Sequence, residues 1–203
     1  MRVPILLFLG FLSVQALFAA EDGEFLYFSC QSCHGVNGQG NEAKNAPKIA
    51  GMDGAYLQRQ MVLFATGGRG AHSGDVYGQE MGLIAPVYVA PERLQALLGY
   101  VESFPDVPAR PTLTGDADRG KRLFEGCAAC HGLRGEGKAD LNAPRLSGMS
   151  DWYMLRQIRH FRDGIRAGDQ NGSVMAAAVT GQSDQDIRDV LVFINSLSGP
   201  PAE

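Results

Sequence analysis

Apolar residues recur at helical spacing in four stretches of the chain. In residues 54–65 and 151–162 they lie three and four positions apart, and Asp53 and Ser150 precede these stretches as candidate N-caps. Residues 91–104 begin with proline, and residues 183–197 begin with a Ser-Asp-Gln-Asp capping sequence; both then carry a stripe of Leu, Ile and Val. No stretch alternates convincingly as a strand. The pattern therefore predicts an all-α protein.

The pattern occurs twice, because the two halves of the chain repeat each other. Residues of mixed type keep one offset of 97 positions over some 40 residues, which argues against chance. The repeated residues include Cys30/Cys127, Cys33/Cys130, His34/His131, Asn45-Ala46-Pro47/Asn142-Ala143-Pro144, Tyr56/Tyr153, Arg59/Arg156, Gln60/Gln157, Phe64/Phe161 and Arg69/Arg166. Two copies are too few for a solenoid, so we expect two small tandem domains related by duplication.

Prolines mark the boundary between the two copies. Residues 104–111 contain three prolines, which cannot continue a helix and form a semi-rigid linker. We therefore expect a first domain at residues 21–108 and a second at residues 109–203.

The first 20 residues resemble a secretory signal peptide. A positive charge at Arg2 is followed by a short apolar run and then by small residues ending at Ala19 and Ala20. An uncleaved membrane anchor is the alternative, although the apolar stretch is shorter than the ~20 residues a bilayer requires. No later stretch looks transmembrane, so we expect an exported, periplasmic protein, membrane-associated at most through its partners.

Charge is distributed unequally in a chain of net charge -4. Residues 21–108 hold ten acidic and five basic residues, whereas residues 109–203 hold twelve of each. No domain is strongly basic, so nucleic acid is not an expected partner. Four arginines at positions 156, 159, 162 and 166 suggest that the two domains face different partners, although a solvated basic helix face is the plainer interpretation.

The chemistry resides in two C-x-x-C-H motifs, Cys30–Cys33–His34 and Cys127–Cys130–His131. This motif is the attachment signal for c-type haem: two cysteines three apart reach the two vinyl groups of one porphyrin, and the histidine binds iron. A thioredoxin-like site would need a βαβ context, and paired zinc motifs lie ~15–20 residues apart instead of 97. Disulfides within each pair would leave the histidines without a role. The motifs thus predict two covalently bound haem c groups.

Two further sets of residues are candidates to complete each haem site. Pro47 and Pro144 each lie 13 residues after a motif histidine, and their carbonyls are candidates to accept its second ring N–H, although they could be ordinary loop prolines. For the sixth ligand we favour Met81 and Met175, in loops before the last helix of each half, although their offset is 94. The methionine alternatives are Met52, Met149, Met61 and Met154, and the rival histidines are His72 and His160.

Two further sets of repeated side chains gain candidate roles from a bound haem. The aromatic side chains Tyr56, Tyr153, Phe64 and Phe161 would pack against the rings or simply form helix cores. Arg59 and Arg156 could neutralise haem propionates, or could lie on a solvated helix face.

These residues resemble the class I di-haem cytochromes c, and among them the cytochrome c4 family, over residues 21–198. The shared features are CxxCH, Pro-x-x-x-Gly, a Tyr-x-x-Arg-Gln helix, Gly-x-Arg, a methionine and a final apolar helix, each present twice. The resemblance implies two cytochrome c folds with His/Met iron, packed with their haems close together. It also implies electron transfer in the periplasm, often toward a terminal oxidase. The first domain departs from its twin by a longer loop at residues 69–80.

The sequence therefore predicts an electron carrier and not an enzyme, since a His/Met-capped iron has no open site for a substrate. Its expected partners are redox proteins, with a donor such as a quinol-oxidising complex and an acceptor such as a terminal oxidase. One alternative is a cytochrome subunit of a periplasmic dehydrogenase. Another is a di-haem peroxidase, which the near-symmetry of the two halves disfavours.

Overall fold

A computed structural model describes residues 22–198, so the predicted signal peptide lies outside the described residues. Within this range the fold is all-α, with two isolated β-bridges, Asn41–Ala46 and Lys138–Ala143, and no strand. No helix in the described part of the chain combines the length and the apolar content needed to span a bilayer. The helices are α1 (Gly23–Tyr27), α2 (Gln31–His34), α3 (Gly54–Thr66), α4 (Val76–Ile84), α5 (Pro91–Glu102), α6 (Ala117–His131), α7 (Asp151–Arg162), α8 (Gln170–Val179) and α9 (Asp184–Ser196).

The four helices predicted from periodicity are present with nearly the predicted ends, as α3, α5, α7 and α9. Asp53 caps α3 by accepting from the Tyr56 N–H, and Ser183 forms a full capping box with Asp186 on α9. Ser150 occupies the N-cap position of α7 but makes no capping bond. Its Oγ instead accepts from the Lys48 N–H of the other domain at 3.3 Å.

Each domain is built around a close crossing of its first and last helices. In the first domain α1 crosses α5, and in the second α6 crosses α9. Gly23 and Gly120, which are 97 residues apart, lie at these crossings. A Cβ on Gly120 would lie only 1.9 Å from the Asp189 carbonyl oxygen, and one on Gly23 only 2.2 Å from that of Ala96. Only glycine therefore allows the two backbones to approach this closely.

The segments that carry Met81 and Met175 are helical, which corrects our expectation of loops. Met81 lies in α4 and Met175 in α8. The two helices begin equivalently, since Asp75 accepts from the Gly78 N–H and Asp169 from the Gly172 N–H. Because the offset is 97 at Arg69/Arg166 but 94 at these caps, the three extra residues of the first domain lie between Arg69 and Asp75, before the methionine helix.

The linker between the domains runs without helix from residue 105 to residue 116. Asp151, which is 1% exposed, fixes its second half by accepting hydrogen bonds from the N–H groups of Thr112 and Leu113 and from the Thr112 hydroxyl. The Asn195 amide donates to the same carboxylate. The linker is therefore held against α7 and α9.

Candidate functional site

Each domain encloses a largely apolar cavity that opens to the surface beside its C-x-x-C-H motif. The cavity of the first domain measures about 430 Å³ and is lined by Cys30, Cys33 and His34. The cavity of the second domain measures about 420 Å³ and is lined by the equivalent residues Cys127, Cys130 and His131. No disulfide joins these four cysteines. The predicted attachment residues therefore share one cavity in each domain.

The motif histidines are oriented as predicted by the two proline carbonyls. His34 Nδ1 lies 2.9 Å from the Pro47 carbonyl oxygen, and His131 Nδ1 lies 2.8 Å from that of Pro144. Burial lowers the pKa of both imidazoles, against the opposing effect of these hydrogen bonds. A neutral ring whose Nδ1–H is donated to a carbonyl leaves Nε2 with a free lone pair, which is the form that binds a metal.

A glycine follows each motif histidine, and its conformation explains the residue type. Gly35 and Gly132 have φ of 83° each, in the left-handed region that favours glycine. The chain therefore turns sharply after the histidine and returns to supply the proline carbonyl. The glycine is therefore required by the backbone conformation at this turn.

The cavities also contain the candidate sixth ligands, together with their rivals. Met81 lines the first cavity and Met175 the second. The other four candidates, Met52, Met61, Met149 and Met154, contribute to cavity walls as well. Met149 and Met154 belong to the buried core of the second domain, with 5% and 7% exposure. The assignment of Met81 and Met175 stays a prediction.

The two cavities share a wall built from matched residues of α3 and α7. Tyr56, Gln60, Tyr153, Gln157 and Arg69 line both cavities. The two predicted haem sites are therefore neighbours across a single layer of side chains.

A buried hydrogen-bond network with approximate two-fold symmetry crosses this wall. Arg69 donates to Tyr153 Oη and, at 2.7 and 2.9 Å, to the amide oxygens of Gln60 and Gln157. Arg166 repeats the pattern, donating to Tyr56 Oη and to the same two amide oxygens at 2.8 Å each. Each guanidinium also stacks on an aromatic ring of its own domain, at 4.4 Å for Arg69 on Phe64 and 4.5 Å for Arg166 on Phe161.

This network places two positive charges at the wall, where the buried Asp75 carboxylate acts on Arg69 from beyond ion-pair distance. Both guanidiniums are nearly buried, and among residues 22–198 no carboxylate lies within ion-pair distance of either. Burial acts to raise the pKa of Tyr56, but Arg166 and Arg69 outweigh it and lower this pKa. The buried Nε atoms of Arg59, Arg69 and Arg156 also lack hydrogen-bond partners. An anionic, largely apolar group in each cavity, such as a porphyrin with propionates, fits this arrangement.

Comparison with known proteins agrees with this geometry. The cytochrome c family profile matches residues 20–105 and again residues 117–198. The chain belongs to the cytochrome c family. It is 31% identical to cytochrome c4 of Azotobacter vinelandii over 96% of this chain and 97% of that protein, which places it among the cytochrome c4 proteins.

Two further relatives extend the comparison. A protein of Stutzerimonas stutzeri (strain A1501) named thiosulfate dehydrogenase electron acceptor is 30% identical, over 90% of this chain and 88% of that protein. The crystal structure of reduced recombinant cytochrome c4 from Pseudomonas stutzeri matches with a TM-score of 0.68 at 28% identity, covering 86% of this chain and 96% of that one. Two tandem cytochrome c domains in a cytochrome c4-like chain imply two covalently bound haem c groups, one for each domain.

The repeated arginines of this cytochrome c use their side chains to join the domains, a role that sequence reasoning did not recognise. Arg59 donates to the side-chain and backbone oxygens of Asn142 at 2.9 Å each, and Arg156 donates to those of Asn45 at 3.0 Å each. Both asparagines have a positive φ, which is 55° at Asn45 and 53° at Asn142. Asparagine tolerates this conformation better than most residues do. In the sequence, this contact could have been suspected from the asparagine that precedes the Ala-Pro pair in both halves.

The four arginines at positions 156, 159, 162 and 166 do not form an unpaired basic surface, which corrects the interpretation that they mark a partner-binding face. Arg156 and Arg166 contact the first domain, while Arg159 and Arg162 both pair with Asp184. These four side chains are therefore largely engaged within the molecule.

The rival histidines line neither cavity. His72 is exposed and its Nδ1 accepts from the Gly74 N–H. His160 Nδ1 lies 3.6 Å from the buried Asp75 carboxylate across the domain boundary. Both therefore match the expectation of surface or partly packed histidines.

A single linker carboxylate connects the two loops that orient the motif histidines. Lys48 and Arg145 directly follow Pro47 and Pro144, and both bind Asp106. The Lys48 side chain is 1% exposed; its Nζ lies 2.8 Å from Asp106 Oδ1 and 3.1 Å from the Gly148 carbonyl oxygen of the second domain. Asp106 therefore supplies the counter-charge for a buried ammonium at the domain boundary.

We expect Asp106→Asn to destabilise the holoprotein by about 2 kcal/mol at neutral pH, because Lys48 would remain buried without a counter-ion. Partial burial acts to raise the pKa of Asp106, but Lys48 and Arg145 outweigh it and hold this pKa below its usual value. The carboxylate thus stabilises the fold above its unfolded pKa of about 3.9, and the stabilisation is lost as pH falls through the lower folded value. Urea unfolding at pH 7 and at pH 3 measures both effects.

The matched control is Asp163→Asn, which removes a carboxylate that is 49% exposed and paired with the adjacent Arg162. This change should alter the unfolding free energy by less than about 0.5 kcal/mol. Two results would contradict the role assigned to Asp106. One is an equal loss of unfolding free energy in the two variants at pH 7. The other is that Asp106→Asn loses as much unfolding free energy between pH 7 and pH 3 as the unmodified protein does.

Proposed function

We propose that this protein carries single electrons in the periplasm, from a donor such as a quinol-oxidising complex toward a terminal oxidase. The observation that carries the proposal is the shared wall: two haem cavities separated by one layer of Tyr, Gln and Arg side chains provide a path between two redox centres. The signal-peptide pattern at residues 1–20 supports the periplasmic location.

The chain's own residues serve this function by holding and shielding the cofactor. When bound, haem supplies a reversible one-electron couple. His34 and His131, oriented by proline carbonyls, would bind the iron, and Met81 and Met175 would supply the second protein ligand. Arg69 and Arg166 compensate anionic charge at the wall, and the apolar cavity walls exclude water, which tunes the potential.

The proposal is tested by following electrons through the purified holoprotein. We expect the mature protein to contain two covalent haems by mass spectrometry, to accept two electrons in a reductive titration, and to be reoxidised by membrane vesicles that contain a cytochrome c oxidase. Carbon monoxide binding to the native reduced protein would indicate an open iron and would instead support the di-haem peroxidase alternative. Reoxidation no faster than in vesicles without oxidase would remove the terminal-oxidase assignment.

A second candidate is that the protein accepts electrons from a periplasmic dehydrogenase. It is favoured by the 30% identity, over most of both chains, to the relative named as a thiosulfate dehydrogenase electron acceptor. Rapid haem reduction on addition of a thiosulfate dehydrogenase and thiosulfate, absent when either is omitted, would support this donor.

A further inference from the structure

The imidazole on α7 faces the first domain across the domain boundary. His160 belongs to the second domain, and its side chain is only 12% exposed. Its Nδ1 is buried without a hydrogen-bond partner and lies 3.6 Å from a carboxylate oxygen of Asp75 in the first domain. This distance is too long for a hydrogen bond, but it is short enough for an ion pair once the imidazole is protonated.

Asp75 connects this contact with the first haem site. Its side chain is 3% exposed, lines the first cavity and caps α4 by accepting from the Gly78 N–H at 3.1 Å. Helix α4 carries Met81, the predicted sixth iron ligand of the first domain. A positive charge on His160 would therefore act on the cap of this helix and, through a buried region of low dielectric, on the charge of the first haem.

The second haem site has the carboxylate without the imidazole. The offset of 97 places Leu63 at the position equivalent to His160, and Asp169 caps α8 as Asp75 caps α4. Leu63 and Asp169 both line the second cavity. Of this matched pair of sites, only the first therefore has an imidazole beside its capping carboxylate.

The charges that face His160 come from both domains. Burial has the largest influence and lowers the pKa of His160 below its ordinary value of about 6.5, whereas Asp75 acts to raise it. Arginines from both domains add to the lowering of this pKa, namely Arg156 and Arg166 from the second and Arg69 from the first. The ring is therefore neutral at neutral pH and takes up a proton in mildly acidic solution.

Two other ionisable side chains lie near this contact. His72 is exposed, three residues before Asp75, and its Nδ1 accepts from a backbone N–H. Asp163 lies one turn after His160 and is paired with Arg162. The propionates of a bound haem are further titratable groups. A pH effect of His160 therefore has to be separated from those of His72 and of the propionates.

We propose that His160 is a proton-binding site in the second domain that makes the potential of the first haem depend on pH. The inference rests on the proposed electron-carrier function. When the first haem takes up one electron from the donor protein, positive charge near the contact falls by one. His160 then binds one proton from solvent more readily and pairs with Asp75. Reoxidation passes the electron to the acceptor and returns the proton to solvent.

Linkage makes this coupling reciprocal. Because reduction favours protonation of His160, protonation must favour reduction of the first haem by the same factor. The first haem should therefore bind its electron more tightly as pH falls through the range in which His160 becomes charged. The second haem has Leu63 at the equivalent position and should respond much less.

The test measures both haem potentials of the holoprotein by spectroelectrochemical titration at pH 5 and at pH 8. We expect the affinity of the first haem for an electron to be about threefold to tenfold higher at pH 5, or about 30–60 mV at ~59 mV per tenfold change for one electron. That of the second should change by less than about twofold. A Cys30→Ala background, whose first haem keeps one vinyl group and absorbs at longer wavelength, identifies the potential of the first haem.

Two variants remove the contact in different ways. His160→Leu introduces the residue that the first domain has at the equivalent position, and it should abolish the pH dependence of the first haem. Asp75→Asn should do the same, because asparagine still caps a helix but leaves a protonated ring without its counter-charge. The matched control is His72→Leu, which removes the nearby exposed histidine and should leave the pH dependence unchanged.

The outcomes separate this proton site from a structural contact and from the redox function itself. A contact that only stabilises the domain packing would change the unfolding free energy in His160→Leu but not the dependence of potential on pH. If neither haem accepts an electron reversibly, the proposed function fails. If both haems titrate but the pH dependence persists in His160→Leu, it belongs to another group such as a propionate, and only this inference is wrong. Loss of the dependence in His72→Leu, or equal dependence of both haems, would overturn it as well.

Discussion

Gly120→Ala is expected to lower the unfolding free energy of the holoprotein by about 3 kcal/mol or more. The added Cβ would lie 1.9 Å from the Asp189 carbonyl oxygen and 2.4 Å from its carbon, both backbone atoms of α9 that cannot rotate away. Helices α6 and α9 would have to separate, which loosens the packing between Phe124 and the fully buried Leu191. Guanidinium unfolding followed by far-ultraviolet circular dichroism measures the loss.

Gly99→Ala, within α5 of the first domain, is the matched control because Gly99 lines neither cavity and a Cβ there meets nothing within 4 Å. Alanine has the higher helix propensity, so this variant should gain up to about 1 kcal/mol. The two changes in unfolding free energy should have opposite signs, which distinguishes a steric effect from a change in helix propensity. Unfolding free energies that agree within about 1 kcal/mol would show that the helices separate at little cost.

Met81→Ala and Met175→Ala should each remove about half of the methionine–iron charge-transfer absorbance of the oxidised protein. Each should also lower the reduction potential of one haem by an amount on the order of hundreds of millivolts, because the identity of the iron ligands strongly affects that potential. The other haem should keep its potential to within a small electrostatic shift. Optical spectra of the ferric protein and a spectroelectrochemical titration give both quantities.

Met61→Leu and Met154→Leu are the controls, since both methionines lie on helices and line the cavities. A volume-conserving apolar substitution should leave both the band and the potentials nearly unchanged. Loss of the band in Met61→Leu, or its persistence in Met81→Ala, would assign the sixth ligand of the first domain elsewhere.

The amphipathic helices and the attachment motifs could be predicted because their signals are local. Periodicity is visible within a dozen residues, and the histidine–proline spacing is the same in both halves. Helices α4 and α8 could not be found in this way. In α4, for example, Leu83 and Ile84 are exposed rather than buried, so the apolar residues of this helix form no stripe that faces a core. Their helical state depends on the Asp caps and on packing against α3 and α7.

The domain interface could not be predicted because it depends on which surfaces of two similar domains meet. Arg69 and Gln60 would be surface residues on an isolated helical domain, and only the second domain makes them a buried network. Similarly, Asp106 looked like one more polar residue in a proline-rich linker. Its structural role depends on its contacts with Lys48 and Arg145, which lie 58 and 39 residues away in the sequence.

The crossed pairs Arg59–Asn142 and Arg156–Asn45 have a consequence for how such a chain arises. Each domain presents the same donor and the same acceptor, so the surface is self-complementary. A chain of half this length with those residues already holds both halves of the contact and can close it as a homodimer. Joining two such genes then fixes the stoichiometry at one pair, and it frees the outward faces to diverge while the inward faces stay alike.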